Sequence, residues 1–500
     1  MRTPILVGLL VAGLAAPSWA AGASAIADAV QAGDSATVRA LVQRKANVNE
    51  AQADGMTALH WAARNDDLAT ATILLRAGAK ADAANRYGLT PVALAAQNGS
   101  GAMLELLLKG GGKADTVNEG GETPLMTAAR TGSVPAIKAL AAHGAQIDTR
   151  EKVMGESALM WAAAENHAEA ARVLLELGAD VNAQSKQLTF PEFKWSLSGM
   201  VSTALPRGGW TPLMHAARQG SMEAAQVLAG ASGVNLNVRD PDGTTALVVA
   251  IQNAHYDLAA MLLDKGADPN VADSTGTGAL YALVDMNTLA PMQGRPSPKL
   301  VDKIDAPELA AKLIAKGANP NQKLLRPTLG RYHGSGDASL GEGTTPFLRA
   351  AKAVDLTLMR VLLDGGADPT MTKKDRTNAA MLVAAGLANR GYLRETAATP
   401  ASVSIDALKL LMSKGVDINA FNTGGETAMH IAAGRGLEEV VAFLAANGAR
   451  VTPTDKRGRT PLDMALGVGA NTRNAPPPEG LAATAALLRR LASTPTASRQ

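Results

Sequence analysis

Short apolar groups with helical spacing recur along most of the chain, and polar turns separate them. Residues 54–87 show the unit most clearly. Leu59 and Ala62 lie on one face of a predicted helix, and residues 73–75 form the apolar core of a second. A polar break at residues 65–67 separates the two groups. The pattern therefore predicts a unit of turn, helix, break and helix.

The ends of both predicted helices carry residues typical of helix boundaries. Thr57 is placed to cap the start of the first helix. In later copies, such as Thr90-Pro91, proline takes the first helical position, where its missing N–H costs nothing. Gly78 is expected to end the second helix in the left-handed conformation.

The unit repeats at a nearly constant distance. Its first-helix sequence, Thr-Ala-Leu-His-Trp-Ala-Ala, begins at Thr57, and related sequences begin 33 residues later at Thr90 and a further 33 later at Thr123. Further copies begin at Ser157, Thr211, Thr245, Thr345, Thr427 and Thr460. A fixed period of this length predicts repeats that bury their apolar faces only against their neighbours.

The repeat resembles the ankyrin repeat, whose pattern is roughly D-x-x-G-x-T-P-L-H-x-A-A-x-x-G-x-x-x-x-V-x-x-L-L-x-x-G-A-D. The stretches that match this pattern in order are residues 121–145, 209–238, 242–270 and 425–449. The resemblance implies an all-α ankyrin-repeat solenoid of about twelve helix-turn-helix units, with turn fingers and insertions, from about Ser24 to Ala492. It also implies that the protein binds partners through a concave face and through the turn tips.

The resemblance also implies a structural role for most of the histidines. His60, His215 and His430 are assigned to the Leu-His position, where the family uses the ring for hydrogen bonds that fix the turn. His167 and His255 fall at the break between the two helices of a repeat. We therefore expect neither a metal site nor a catalytic histidine within the repeats.

The two ends of the array depart from the pattern, as capping repeats do. Residues 24–53 lack Thr-Pro-Leu-His and are expected to form an N-terminal capping repeat before the array at 54–456. Residues 457–492 begin with Thr-Pro-Leu, are interrupted by a proline-rich stretch, and are expected to form the C-terminal capping repeat. The polar residues 493–500 show no periodicity and predict a disordered tail.

Residues 1–20 have the features of a secretory signal peptide. Arg2 provides the positive charge, residues 5–16 are apolar, and Ser18 and Ala20 are small residues before a cleavage site after Ala20. The apolar run has about twelve residues, whereas a membrane-spanning helix needs about 20. We therefore expect cleavage and no membrane insertion, with an uncleaved anchor as the alternative. The mature protein is expected to be periplasmic or secreted.

Two insertions, at about 188–208 and 323–342, lengthen the turns between repeats, and their side chains are candidates for binding a partner. Exposed aromatic and arginine side chains are frequent anchors of protein interfaces. The candidates are Phe190, Phe193, Trp195 and the adjoining Trp210 at the first insertion, and Arg326, Arg331 and Tyr332 in the second. The alternative is that the aromatic side chains fold back over the edge of the solenoid. Two further insertions, at about 286–306 and 386–404, fall between the helices of a repeat and are interpreted as spacer loops.

Composition narrows the possible functions. The chain has no cysteine, which excludes disulfides, thiolate metal sites and a cysteine nucleophile. Its 48 basic and 45 acidic residues give a net charge of +3, so no nucleic-acid partner is implied. We expect a non-catalytic scaffold or regulator that binds a protein and carries no cofactor. The alternative is an enzyme or small-ligand sensor with a site between the two turn insertions, around His333 and Asp337.

Overall fold

The computed structural model describes residues 24–188, 208–288, 302–326, 340–386, 401–468 and 480–493. Within these ranges the chain forms 24 helices and no β-sheet. The helices are α1 (Ala25–Gln31), α2 (Ser35–Gln43), α3 (Ala58–Arg64), α4 (Leu68–Arg76), α5 (Pro91–Gln97), α6 (Gly101–Lys109), α7 (Pro124–Arg130), α8 (Val134–Ala142), α9 (Ala158–Ala164), α10 (Ala168–Glu176), α11 (Pro212–Gln219), α12 (Met222–Ala229), α13 (Ala246–Gln252), α14 (Tyr256–Asp264), α15 (Ala279–Thr288), α16 (Ala306–Ala315), α17 (Pro346–Ala353), α18 (Leu356–Asp364), α19 (Ala379–Ala384), α20 (Ala401–Ser413), α21 (Ala428–Gly434), α22 (Glu438–Ala446), α23 (Pro461–Ala465) and α24 (Gly480–Ser493).

Consecutive helices pair into twelve repeats, from repeat 1 (α1 and α2) to repeat 12 (α23 and α24). The all-α class and the number of repeats predicted from the sequence are confirmed. The chain divides into two compact units. The first unit comprises Met1–Ala162 with Glu169–Ala179, and the second comprises Ala163–Ala168 with Asp180–Gln500.

Within each unit, first helices stack on first helices and second helices on second helices. In the first unit α3 packs against α1 and α5, while α4 packs against α2 and α6. In the second unit α13 packs against α11 and α15, while α14 packs against α12 and α16. The core of each unit therefore lies between its two layers of helices. No helix in the described ranges is both long enough and apolar enough to cross a membrane.

Small apolar residues form much of this core. In repeat 2, Leu59, Ala62 and Leu74 are completely buried. Ile73 and Leu75, which the sequence also assigned to the core, are only half-buried. Successive helical residues point about 100° apart, so one turn cannot direct three consecutive side chains inward. The predicted core at 73–75 is thus confirmed for Leu74 and only partly for its two neighbours.

Polar side chains cap the helices where the sequence predicts. The Thr90 hydroxyl accepts the N–H of Ala93 at 3.2 Å, with Pro91 in the first helical position. Second helices begin in the same way, since an Asp67 carboxylate oxygen accepts the N–H of Thr70 at 2.9 Å. Gly78 has a φ of +89° and ends α4 in the left-handed conformation, as expected.

An asparagine side chain ties the end of one repeat to the end of the next. Asn49 Nδ2 donates to the carbonyl of Gly78 at 2.9 Å, and its Oδ1 accepts the N–H of Lys80 at 2.7 Å. We call this pair of bonds the asparagine clasp. It recurs at Asn182, Asn270, Asn321 and Asn419. The clasp gives a hydrogen-bond partner to the carbonyl of the glycine that follows the second helix.

At each turn insertion, a backbone hydrogen bond joins the chain just before the insertion to the chain just after it. At the first, the N–H of Ser185 donates to the carbonyl of Trp210 at 2.9 Å, and residues 189–207 lie outside the described ranges. At the second, the N–H of Leu324 donates to the carbonyl of Thr344 at 2.9 Å. At the other two insertions, α15 continues to Thr288 and α20 already begins at Ala401.

Candidate partner-binding surface

His60 fixes the start of α3 and joins it to the next repeat. Its Nδ1 accepts the N–H of Thr57 at 3.1 Å and lies 2.7 Å from the hydroxyl oxygen of the same residue. Because a backbone N–H can only donate, Nδ1 carries no proton, and Nε2 therefore donates to the carbonyl of Leu89 at 3.1 Å. Burial lowers the pKa of His60, which keeps this neutral ring in place.

The same arrangement occurs in repeat 11. His430 Nδ1 accepts the N–H of Thr427 at 3.2 Å, and Nε2 donates to the carbonyl of Arg459 at 3.1 Å. Burial lowers the pKa of His430 as well. The structural role predicted for His60 and His430 is therefore confirmed.

The assignment of His215 to the same position is wrong. Met214 is the third residue of α11, the place that His60 takes in α3, and His215 comes one residue later. A shift of one helical residue turns the side chain by about 100°, so the ring faces Trp210 instead, with ring centres 5.6 Å apart. Burial, and secondarily the charge of Arg218, lower the pKa of His215 to about 4.

In the first unit, the fourth residue of the first helix is a tryptophan in two repeats. Trp61 is the fourth residue of α3, and Trp161 is the fourth residue of α9. Both indoles are half-buried. The guanidinium of Arg64 lies 5.3 Å from the centre of the Trp61 ring, and that of Arg130, one repeat earlier than Trp161, lies 5.1 Å from the ring of Trp161. We call these four residues the tryptophan–arginine face.

Hydrogen bonds hold both indoles in one orientation. Trp61 Nε1 donates to Gln52 Oε1 at 2.7 Å, and Gln52 Nε2 in turn donates to Asp28 Oδ1 at 2.6 Å. Trp161 Nε1 donates to Glu156 Oε2 at 2.9 Å. The two arginine side chains are exposed. A cation over an aromatic ring is attracted by about 0.5–1 kcal/mol at such exposed positions.

A small polar cleft lies between repeats 3 and 4 of the first unit. Its volume is about 40 Å³. Its walls come from α5, α7 and the turns before them: Gly88, Leu89, Ala93, Gln97, Thr116, Asn118, Glu122, Thr123 and Thr127. Glu122 is the single charged residue among them, and its Oε2 accepts a hydrogen bond from Asn118 Nδ2 at 2.9 Å.

Two of the predicted binding residues, Trp210 and Arg326, lie in the described ranges. Trp210 is half-buried beside the first insertion, and the guanidinium of Arg218 lies 5.3 Å from its ring centre. Arg326 donates from its guanidinium to the hydroxyl of Ser274 at 2.7 Å, at the preceding turn tip. Trp210 contacts Arg218 and His215, whereas Arg326 contacts Ser274, so the contacts described for the two residues involve different side chains. The predicted candidates Phe190, Phe193, Trp195, Arg331 and Tyr332 lie outside the described residues, as do His333 and Asp337.

Sequence reasoning missed Trp61 and Trp161. Other repeats carry Thr127 or Val249 at the same helical position, so alignment of the chain's own repeats would have marked these two positions. In the described part of the chain, no three histidine, aspartate or glutamate side chains converge closely enough to hold a metal ion.

The chain matches a family model described as ankyrin repeats (3 copies) at four stretches, residues 26–115, 93–185, 194–273 and 396–472. These residues make up well over half of the sequence. The solved human ASB11 ankyrin repeat domain is similar over 49% of this chain and 99% of its own, with 27% sequence identity and a TM-score of 0.40.

Two plant proteins share shorter stretches with the chain. The potassium channel SKOR of Arabidopsis thaliana is 41% identical over 64 residues, 13% of this chain and 8% of the channel. The serine/threonine-protein kinase 12 of the same plant is 39% identical over 62 residues, 12% of this chain and 14% of the kinase. The chain thus spans only a small part of the length of either relative.

Proposed function

This chain belongs to the ankyrin repeat family, and we propose that it is a non-catalytic binding protein that acts outside the cytoplasm. Ankyrin repeats generally mediate protein–protein interaction, so the partner is a protein. In this proposal the partner contacts the tryptophan–arginine face of the first unit. On the second unit, Trp210, Arg326 and the side chains of the two turn insertions are separate candidates for contacts with a partner.

The observation that carries the proposal is the pairing of an exposed arginine with a fixed indole at two places on one unit. Tryptophan and arginine are the residues most enriched among those that dominate binding energy at interfaces. The hydrogen bonds from Trp61 to Gln52 and from Trp161 to Glu156 already hold the rings, so binding orders few additional side-chain torsions. Both features favour a contact surface over a purely structural role.

The N-terminal sequence supports an extracytoplasmic location. Arg2, the apolar run at 5–16 and the small residues up to Ala20 form a signal-peptide pattern. A chain without cysteine also needs no disulfide chemistry after export. Residues 1–23 lie outside the described ranges, and the proposal for them rests on the sequence.

Site-specific photo-crosslinking in the producing cell tests which surface meets the partner. A crosslinking residue at Gln97, which is exposed on the first helix between those of Arg64 and Arg130, should yield a discrete crosslinked protein. The matched position is Arg76, which is also exposed but lies on a second helix, and it should yield none. Equal crosslinking from both positions, or from Arg76 alone, would contradict the proposed face.

The crosslinked partner then allows the affinity to be measured. Trp61→Ala and Trp161→Ala should each weaken binding by about 1–4 kcal/mol, because an aromatic anchor would be lost. Arg76→Ala is the control and should change it by less than about 0.5 kcal/mol. Circular dichroism establishes that the variants keep their helices. If a folded variant that lacks both indoles binds with unchanged affinity, the binding site lies at the turn insertions instead.

A further inference from the structure

We propose that Arg349 in α17 is a binding site for a carboxylate group, which is supplied either by another polypeptide or by a small organic acid. The proposal is independent of the tryptophan–arginine face, since Arg349 and its neighbours belong to the second unit. It rests on a buried guanidinium of which one edge is paired within the protein while the other meets no protein acceptor.

Arg349 is a buried charge at a position where the repeat needs none. It is the fourth residue of α17, and only 7% of its surface is exposed. The helices on either side of α17 carry Ala282 and Leu382 at the same position, and both are buried apolar residues. Removing a guanidinium from water is strongly unfavourable unless it is paired and hydrogen-bonded. Packing of the repeats therefore does not explain why an arginine stands here.

One edge of the guanidinium is paired with Asp285. Nε of Arg349 donates to Oδ1 of Asp285 in α15 at 2.6 Å. This bond fixes the plane of the guanidinium, so the direction of its other N–H groups is set before a ligand binds. Asp285 therefore positions the arginine and leaves most of its donors available.

The other edge of the guanidinium has no protein partner. An arginine side chain carries five N–H groups, and in the described part of the chain Nε alone meets an acceptor. The polar side-chain atoms that are completely buried without a hydrogen bond lie at other residues, so Nη1 and Nη2 both reach the surface. Buried polar groups of native proteins nearly always have a partner. We call Nη1 and Nη2 the open edge, and it is where an external acceptor can bind.

A second buried arginine shows how a purely structural guanidinium is paired in this chain. The side chain of Arg459 is 14% exposed, close to the 9% of Arg349. Its Nε donates to Asp455 Oδ2 at 2.8 Å, and its Nη2 lies 2.7 Å from the same oxygen and 3.5 Å from Glu426 Oε1. Arg459 thus has two carboxylate partners where Arg349 has one. The second carboxylate at Arg349 is the group that we assign to the ligand.

The local charge favours a carboxylate over a more highly charged anion. Arg349 and Asp285 carry opposite charges, and Lys352 lies one turn further along α17. The three side chains together leave a single positive charge, which one carboxylate balances. A phosphate dianion would place excess negative charge beside the carboxylate of Asp285. The planar carboxylate also matches the parallel N–H groups of the open edge.

NMR of the whole chain, labelled with ¹⁵N at arginine Nε, tests the site. Potassium acetate and Nα-acetyl-aspartate N-methylamide are titrated at neutral pH, with potassium chloride holding the ionic strength constant. The Nε–H signal of Arg349 should shift and saturate at roughly millimolar concentrations, while that of Arg459 stays in place. Saturation with the aspartate derivative identifies a polypeptide carboxylate as the ligand, whereas saturation with acetate alone identifies a small organic acid. No saturable shift with either compound, or equally tight binding of inorganic phosphate, would overturn the proposal.

Variants separate the open edge from the charge of the arginine. Arg349→Lys keeps the charge but lacks the paired N–H groups, so the carboxylate that saturates the wild-type protein should bind about tenfold more weakly in ligand-observed NMR. Arg349→Gln combined with Asp285→Asn leaves no single buried charge, so this double variant should keep its helices and lose binding. The control Arg459→Lys alters a guanidinium whose partners belong to the protein and should leave the affinity unchanged. Full binding by the folded double variant would place the ligand elsewhere and refute the assignment.

Discussion

Acidification should loosen repeat 6, because His215 is held there as a neutral ring. Its pKa in the folded protein is about 4, lowered first by burial and then by Arg218, against an ordinary value of 6.5. Between pH 6.5 and about 4, the unfolded chain therefore binds a proton on His215 that the folded repeat does not bind. The stability contribution is fully present above pH 6.5 and is lost as the pH falls towards 4.

These two values give the magnitude. Between pH 7 and pH 5 the opening free energy of repeat 6 should fall by about 2 kcal/mol through this residue alone. Hydrogen exchange of peptides from α11, corrected for the intrinsic effect of pH, measures that energy. The comparison protein is His215→Val, since Val249 occupies the same helical position in repeat 7. His60 and His430 are present in both proteins, so their titration cancels in the difference.

The reasoning would be refuted if the opening free energy of repeat 6 fell by the same amount between pH 7 and pH 5 in His215→Val. The loss would then come from other groups, and the ring of His215 would not be desolvated in the folded repeat. A smaller fall in the variant, with equal stability of α11 near pH 7.5, is the expected outcome. Exchange in the first unit should show no difference between the two proteins.

Three further predictions concern stability and processing. Leu262→Ala should cost about 2–5 kcal/mol, since the side chain is 1% exposed, and hydrogen exchange should rise first in the adjacent repeats. Asp302→Ala should cost about 1 kcal/mol in chemical denaturation, because this carboxylate accepts the N–H of Asp257 at 3.0 Å in the first turn of α14, and the N-cap residue of that helix, His255, gives no side-chain cap. N-terminal sequencing of the mature protein should begin at Ala21, and a start at Met1 would contradict the signal-peptide interpretation.

The fold could be predicted because the signals that set it are local. Thr90 and Pro91 act within one helical turn, and Gly78 acts through its own backbone. Burial of Ile73 and Leu75 was harder to predict, because an apolar triplet does not show which residue faces the neighbouring helix. That choice is made by the stacking of α4 on α2 and α6.

The candidate surface was harder to predict from the sequence than the fold. Trp210 was found because it adjoins an insertion rich in aromatic residues, whereas Trp61 and Trp161 stand inside regular repeats where the motif places no constraint. The arginine that pairs with a tryptophan can also come from another repeat, since Arg130 of repeat 4 lies over the indole of Trp161 in repeat 5. Such contacts depend on how repeats stack, which no single repeat encodes.

The asparagine clasp has a consequence for how this protein can change in length over evolution. The clasp joins residues 29 positions apart at Asn49, but 51 apart at Asn182 and 47 apart at Asn270, with nearly the same bond lengths. Chain added between the two ends of a clasp therefore leaves the junction between repeats intact. Loops between the two ends of a clasp can therefore change in length over evolution while the hydrogen bonds that join neighbouring repeats are kept, as they are after Asn182 and Asn270.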